Sequence, residues 1–341
     1  LLMDAVIQKT TKSCGINSGH VIYGSGGKLF LLMSNTKHNN EKLKKIHQEI
    51  EDDLWDKHQG GLYLCLGITP FLYNTADKKV VLEDGNKYEM SALWKNAAES
   101  AARNKGKKYY QKLSTAFESF FTPNGEVIEG SDFDICAVTG IEGFRKNSRR
   151  PSENTNQQLV VLDKDNEVFV TKSVKEQIEL GENLKNAKNI LTYVTSDIDG
   201  NSFLNKKNIF CFKTIPGVYH YLMDDNDLSS ADHVLIKGIN HTSFHDLTTL
   251  KGLNSSYGFV FYGGNQQAVK SDGNNKTFED LAEKTFLGVL RMDVDNLGQI
   301  FIKGLLNNSR SFAHYATLSS SLDWFFSGYL NTIRNSDNFK D

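Results

Sequence analysis

Apolar residues recur along this chain with two periods, one of about 3.6 and one of about 2, and the order in which the periods alternate predicts its elements. Leu2, Ala5, Val6 and Lys9 share a helical face, so residues 1–12 read as a helix. The runs His20-Val-Ile-Tyr23 and Leu29-Phe-Leu-Leu-Met33 suit two buried strands joined by Gly24-Ser-Gly-Gly-Lys28. Residues 40–55 make an amphipathic helix, and Gly61-Leu-Tyr-Leu-Cys-Leu-Gly-Ile-Thr69 returns as another strand. From 91 to 121 the spacing is helical again. Leu93, Trp94, Ala97, Ala98 and Ala101 form one stripe, and Tyr109, Leu113, Phe117, Phe120 and Phe121 a second, with a break near Lys105-Gly106. Strands are predicted at 209–213, 218–222, 233–237 and 257–262, and Leu287-Gly-Val-Leu-Arg-Met292 suits one more buried strand. A short helix follows over 299–306. A longer one over 311–333 repeats Phe312, Tyr315, Leu318, Leu322, Phe325, Phe326, Tyr329, Leu330 and Ile333.

Composition narrows the class without naming a function. The 341 residues suffice for two or three domains, with the apolar and charged fractions of an ordinary soluble protein. A formal charge of −2 argues against a surface coated with phosphate-binding residues, so contact with nucleic acid must be local or shared with partner subunits. No run approaches the roughly 18 apolar residues of a membrane span. Cys14, Cys65, Cys136 and Cys211 are scattered, which fits a reducing compartment, and a cytoplasmic protein is expected. The chain starts on Leu1-Leu2 inside a helical pattern and is read as a fragment.

The densest chemistry lies in Leu287-Gly-Val-Leu-Arg-Met-Asp-Val-Asp-Asn-Leu-Gly298. Residues two apart on a strand point to one face, so Asp293 and Asp295 can converge on one hard cation such as Mg²⁺ or Mn²⁺. Asn296, Leu297 and Gly298 then turn the backbone into a helix whose first N–H groups suit a phosphate. The plain alternative is an Asp-capped strand-to-helix turn with no chemistry. The turn Gly24, Ser25, Gly26, Gly27, Lys28 offers backbone N–H groups, a hydroxyl and an ammonium to a nucleotide, or is simply a glycine-rich hairpin. It lacks the spacing of a Walker loop. Lys105, Lys107 and Lys108 read as a solvated helix corner, and Phe144-Arg-Lys-Asn-Ser-Arg-Arg-Pro151 as a surface loop. His241, His245 and Asp246 have metal-ligand spacing but no accompanying ligand pattern, and a surface assignment is preferred. Gly263-Gly-Asn265 reads equally as a glycine turn at a strand end or as a ligand contact.

A strand with Asp-x-Asp followed by two helices is the plan of polymerase and cyclase palms, in which two metal ions about 4 Å apart serve nucleotidyl transfer. The words are more specific than the plan. Residues 287–298, with Ala316-Thr-Leu-Ser-Ser-Ser-Leu-Asp-Trp-Phe-Phe-Ser-Gly-Tyr-Leu330, closely resemble the second palm of the large subunit of type III CRISPR effector complexes, of the III-A-like kind. The resemblance implies an α+β fold with two ferredoxin-like palm domains. Residues 1–121 would be a degenerate first palm missing its start, with C-terminal helices. Residues 122–285 would be a middle strand-helix domain with a zinc-ribbon remnant, and 286–341 the start of a second palm, truncated before its carboxylate hairpin. Tyr23-Gly-Ser-Gly-Gly-Lys-Leu-Phe30 has the glycines and flanks of the family's active turn without its aspartates. Only Cys136 survives of the zinc knuckles, so no zinc is expected.

The resemblance further implies ATP as substrate, Asp293 and Asp295 as metal ligands and catalytic residues, and Gly24–Lys28 with Asn296–Gly298 as nucleotide contacts. The complete protein would make cyclic oligoadenylates once guide and target RNA are bound beside other subunits, with an HD nuclease domain outside this stretch. The fragment alone is expected to be inactive. The alternative is a non-catalytic scaffold that binds RNA and neighbouring subunits, and a diguanylate-cyclase relative is a weaker third reading.

Overall fold

The computed structural model describes residues 1–121, 133–145, 158–163, 165, 167–195, 210–223, 235–241, 256–261, 268, 270–274, 276–282, 286–289, 295–305, 310–329, 332–333 and 336. The first helix, α1 (Leu2–Cys14), stops where Gly15 takes a left-handed φ of 66° and the Ile16 N–H returns to Thr11 O at 2.9 Å. Strands β1 (Val21–Ser25) and β2 (Lys28–Leu31) pair antiparallel across Gly26 and Gly27, whose φ values of 57° and 73° make the two-residue turn that suits a twisted hairpin. Helix α2 (Lys37–His58) is capped by the Thr36 hydroxyl, which accepts from Asn39 N–H.

The strand expected at 61–69 does not form a ladder. Its alternate carbonyls are taken by side chains: Leu62 O by the Tyr109 hydroxyl, Leu64 O by His47 at 2.7 Å, Leu66 O by Asn104 at 2.6 Å and Ile68 O by Ser100 at 3.1 Å. Gly67 lets the segment press on the next helices, since a Cβ there would lie 2.6 Å from Ala101 N. The run is extended, partly buried backbone whose carbonyls are satisfied by helix-borne side chains instead of a sheet.

Three short strands that the pattern did not predict follow, β3 (Leu72–Asn74), β4 (Lys79–Val81) and β5 (Lys87–Tyr88). Helices α3 (Ser91–Lys105), α4 (Tyr110–Thr115) and α5 (Phe117–Phe121) divide near the expected break. The second predicted stripe is not a core stripe. Tyr109 is buried, but Phe117 and Phe121 stay more than half exposed because α4 and α5 are separate short helices.

In the middle region β6 (Phe133–Ile135), β7 (Glu142–Arg145), β8 (Gln158–Asp163) and β9 (Val168–Thr171) form one sheet in chain order, followed by α6 (Lys172–Leu184). Cys136 closes the β6–β7 turn, its buried Sγ accepting from Thr139 N–H at 3.4 Å and Thr171 N–H at 3.3 Å. Burial pushes this thiol up, yet the Thr139 hydroxyl and the surrounding N–H groups outweigh burial and leave its pKa below the usual value. Arg145 pairs with Asp134 at 2.7 Å, while 146–151 lie outside the described residues.

A five-stranded sheet comes next, of β10 (Asn189–Val194), β11 (Phe210–Ile215), β12 (Val218–Met223), β13 (Leu235–Ile239) and β14 (Ser256–Val260), ordered β11-β12-β10-β13-β14. Its only parallel pair, among the described residues, is β13–β14. The central β10 was not predicted. Ala5 and Val6 of α1 pack with Ile46, Ile50 and Leu54 of α2 against Ile215 and Val218, so the opening helices lie on this sheet.

The last region has α7 (Phe278–Ala282), α8 (Leu297–Lys303) and α9 (Phe312–Trp324), the last running into a π turn at Phe325–Tyr329. The buried strand expected at 287–292 is corrected for its described part. Leu287 and Val289 pair with no strand among the described residues and are 44 % and 91 % exposed, and a strand is buried only by its sheet neighbours. The chain is thus a mixed α+β structure with several sheets. No helix among the described residues is long and apolar enough to cross a membrane.

Candidate functional site

An aromatic core joins the hairpin near the start of the chain to the helices near its end. Ile22, Val80, Met90 and Leu93 pack with Phe301 of α8 and Tyr315 of α9. Tyr23 meets Phe301 edge-on at 5.1 Å, Trp94 meets Phe30 at 4.7 Å and Tyr315 at 4.9 Å, and Phe312 lies 5.9 Å from Phe71. Such edge contacts add about 0.5–1.5 kcal/mol each to area burial, so α8 and α9 are fixed on the hairpin, not loosely apposed.

At the rim of this core lies a cavity of about 190 Å³. The hairpin contributes Tyr23 and Ser25, α8 contributes Leu297, and α9 with its π turn contributes Ser319, Leu322, Asp323, Phe326 and Ser327. Burial raises the Tyr23 phenol above its usual range; the Ser25 hydroxyl beside it works the other way and the charge of Asp323 adds to the rise. Burial also raises the Asp323 carboxyl, with Asp4 adding and Lys237 opposing. The Ser327 hydroxyl donates to the Asp323 carbonyl. The cavity therefore combines an apolar wall, several hydroxyls and one carboxylate, a lining suited to a small polar molecule with a flat apolar part.

The predicted residues divide into three groups. Ser25 and Leu297, from opposite ends of the sequence, meet in the cavity. Gly24, Gly26, Gly27 and Lys28 are exposed around the hairpin tip, and space is open about Gly26 and Gly27. Asp295, Asn296 and Gly298 are exposed at the start of α8, where Asn296 caps the helix with a φ of 55°. Asp293 lies outside the described residues, as do His245, Asp246 and 263–265. Among the described residues no three His, Cys, Asp or Glu side chains converge as a metal site. His241 bonds Lys188 O at 3.0 Å through Nε2.

Asp323 and the serines of α9 were missed. Ser319, Leu322, Asp323, Phe326 and Ser327 are spaced as one helical face, and three polar residues four apart beside an apolar stripe were the available signal. A larger hollow of about 580 Å³ opens between α2 and α4 around Trp55 and is spanned by a Lys112–Asp52 ion pair of 2.9 Å. None of the predicted residues lines it.

Residues 1–123 match the family model described as Csm1 subunit domain B, and residues 286–340 match that of the Cas10/Cmr2 second palm domain. A curated relative from Methanocaldococcus jannaschii, named CRISPR system single-strand-specific deoxyribonuclease Cas10/Csm1 (subtype III-A), is 23% identical over 335 residues, covering 94% of this chain and 39% of its own length. A crystal structure of a Csm1–Csm4 cassette in complex with one ATP superposes with a TM-score of 0.52 at 15% identity, over 97% of this chain and 35% of that one. The cassette in complex with cA4 gives 0.52 at 13%, over 99% and 36%. The chain thus spans about two fifths of the curated relative's length. Both family models, one at each end of the chain, and the relative that spans nearly all of it agree, and together they support a large subunit of the type III-A Cas10/Csm1 kind.

Proposed function

We propose that this stretch forms the nucleotide-holding cleft of a type III CRISPR large subunit, between a first palm without carboxylates and the beginning of a second palm that carries them. The observation that carries this reading is the cavity shared by Ser25 of the hairpin and Leu297 and Asp323 of the last two helices. It lies where the region matching domain B meets the region matching the second palm. ATP and cA4 are the ligands named for the cassettes that share this fold, which supports an adenine nucleotide as the occupant. The division into 1–121, 122–285 and 286–341 belongs to the same proposal.

On this reading the complete protein joins ATP into cyclic oligoadenylates when its complex, with its other subunits, has captured RNA. The hairpin supplies the N–H groups of Gly26 and Gly27, the Ser25 hydroxyl and the Lys28 ammonium to one nucleotide, and the Asn296–Gly298 turn faces the phosphates of a second. Their task is to hold a 3′-hydroxyl in line with an α-phosphate while pyrophosphate leaves, so catalysis comes from positioning. Asp295, an exposed hard-oxygen donor at a helix start, fits Mg²⁺ or Mn²⁺ together with Asp293. Such a cation, when bound, neutralises developing phosphate charge. The test is oligoadenylate synthesis by the RNA-loaded complex of the whole protein. Asp293→Asn should abolish product, and undiminished product from that variant removes the assignment.

A further inference from the structure

The hollow of about 580 Å³ between α2 and α4 has a chemistry distinct from that of the cavity beneath the hairpin. One wall is the half-buried indole of Trp55. The Tyr109 ring braces it edge-on at 4.9 Å, and Gly60 lies so close that an added Cβ would come within 3.3 Å of the indole Cζ3. A ring fixed in this way offers a flat apolar face that loses little rotamer freedom when a ligand arrives. Helix α2 adds Gln48 and Asp52, and α4 adds Gln111, Lys112, Ser114 and Thr115.

Charge inside the hollow is balanced. The Lys112 ammonium lies 2.9 Å from Asp52 Oδ1 and 6.0 Å from the centroid of the Trp55 ring, and the Gln48 amide donates to the same Oδ1 at 3.2 Å. A lone phosphate would be repelled by Asp52 and a cation by Lys112, whereas a neutral planar heterocycle meets neither penalty. The polar atoms that remain are mostly acceptors. The Ser114 and Thr115 hydroxyls donate to Gln111 O at 2.9 and 2.8 Å and keep their lone pairs, and Gln48 keeps its side-chain oxygen.

Rings and cations continue the surface outward. Ala116 lines the hollow and is followed by Phe117, whose ring lies 4.8 Å from that of Phe121, and both rings are more than half exposed. Arg103, Lys105, Lys107 and Lys108 are exposed on the corner that leads into α4. We propose that this hollow binds an unstacked nucleobase of a single nucleic-acid strand. Trp55 is the stacking platform, the acceptors read an exocyclic amino group, and the corner cations follow the phosphates outside. Aromatic faces flanked by cations are the general means of holding single strands, and the volume is that of a small-molecule pocket. The acceptor-rich edge favours adenine and cytosine, whose amino groups donate, over uracil, which presents a carbonyl there. Corner cations serve a chain of phosphates, which a free mononucleotide does not have.

The hollow shares no residue with the cavity beneath the hairpin, so this inference and the nucleotide cleft fall separately. Short oligo(A), oligo(C) and oligo(U) RNA and free AMP are titrated against the whole large subunit, and ultraviolet cross-links are mapped. Oligo(A) and oligo(C) should bind more tightly than oligo(U), with cross-links in residues 48–55 or 111–117. Trp55→Ala should weaken oligo(A) binding about ten-fold and erase those cross-links, and Trp55→Phe should restore most of the affinity. Because Trp55→Ala also removes packing against Tyr109, a second variant acts at exposed positions only: Ser114→Ala with Thr115→Val should lower oligo(A) to the affinity of oligo(U) at an unchanged melting temperature. Equal binding of the three oligonucleotides by the wild type, cross-links confined to other segments, or AMP bound as tightly as oligo(A) overturns the inference.

Discussion

Two of the molecule's cores are opposite in character. The core between the hairpin and α9 is aromatic and dry, built on Ile22, Phe301 and Tyr315 and edged by Tyr23, Phe30 and Trp94. Trp94 Nε1 and the Tyr315 hydroxyl are buried there; the indole lies near enough to oppose the rise that burial causes in the phenol's pKa, yet neither atom completes a hydrogen bond of good geometry. The sheet beneath α1 is threaded with polar groups. Asn189 and His220 are fully buried, Thr192 bonds the His220 ring at 3.0 Å, and Lys9 reaches both Glu49 and Pro216 O at 2.7 Å. An apolar core holds shape whatever the pH, while a core containing titratable groups ties its stability to protons. The first therefore shapes the cavity, and the second makes part of the fold's stability depend on pH.

Breaking the dry core should have the largest effect. Tyr315→Ala removes a side chain with no exposed surface at the seam between α9 and the hairpin. A loss of about 3–5 kcal/mol is expected, measured as a lower urea midpoint, and under the proposed function ATP binding should be lost with it because the two walls of the cavity separate. A midpoint within experimental error of wild type would mean that α9 does not need the hairpin.

The polar core should respond to acid instead. Burial, the largest cause, pulls the His220 pKa down to about 4, with nearby positive charge including Lys237 adding and Asp4 opposing. The folded value lies below the ordinary 6.5, so the unfolded chain takes up the proton first as pH falls. Stability is complete above 6.5, declines between 6.5 and about 4, and is flat below from this group. The total is up to about 3 kcal/mol. His220→Phe should flatten that interval in melting temperature against pH, and an unchanged slope would assign acid sensitivity elsewhere.

How much of this could be read from the residues depends on whether a signal was local. The hairpin was legible because Gly26-Gly27 between two apolar runs admits few conformations, and β11 and β12 because apolar runs flank Pro216-Gly217. The run at 61–69 misled because an extended apolar segment looks the same whether a strand or a row of helical side chains takes its carbonyls. β10 was overlooked because Asn189, Thr192 and Tyr193 broke the apolar pattern, although Asn189 is fully buried at the centre of the sheet. At the site, Ser25 and Leu297 were named from motifs, but Asp323 was absorbed into a helix pattern. Its position depends on α9 crossing β1, a contact between residues some three hundred apart that no local period encodes.

Smaller changes sharpen the contrast between paired and unpaired polar atoms. Lys9→Met keeps the apolar stem but leaves Pro216 O and Glu49 without their cation. A cost of about 2 kcal/mol is expected by chemical denaturation, since a covered acceptor loses its donor. A neutral result would show that water replaces the ammonium there.

Tyr315→Phe should do the least. The ring, and with it the contacts to Trp94 and Phe301, is retained, and the atom removed is a hydroxyl that completes no hydrogen bond of good geometry, the Trp94 indole beside it included. Deleting a buried polar atom that makes no hydrogen bond removes a desolvation penalty without breaking an interaction, so the change in stability should be within about 1 kcal/mol and towards stabilisation. The same deletion in the polar core, Thr192→Val, takes the His220 ring's partner away and should be destabilising. Measuring both by urea denaturation at neutral pH isolates the difference between the cores in a single atom. A clear loss from Tyr315→Phe would mean that its hydroxyl is bonded after all, most directly to Trp94 Nε1 or to a trapped water, and that the seam beneath the cavity is not dry.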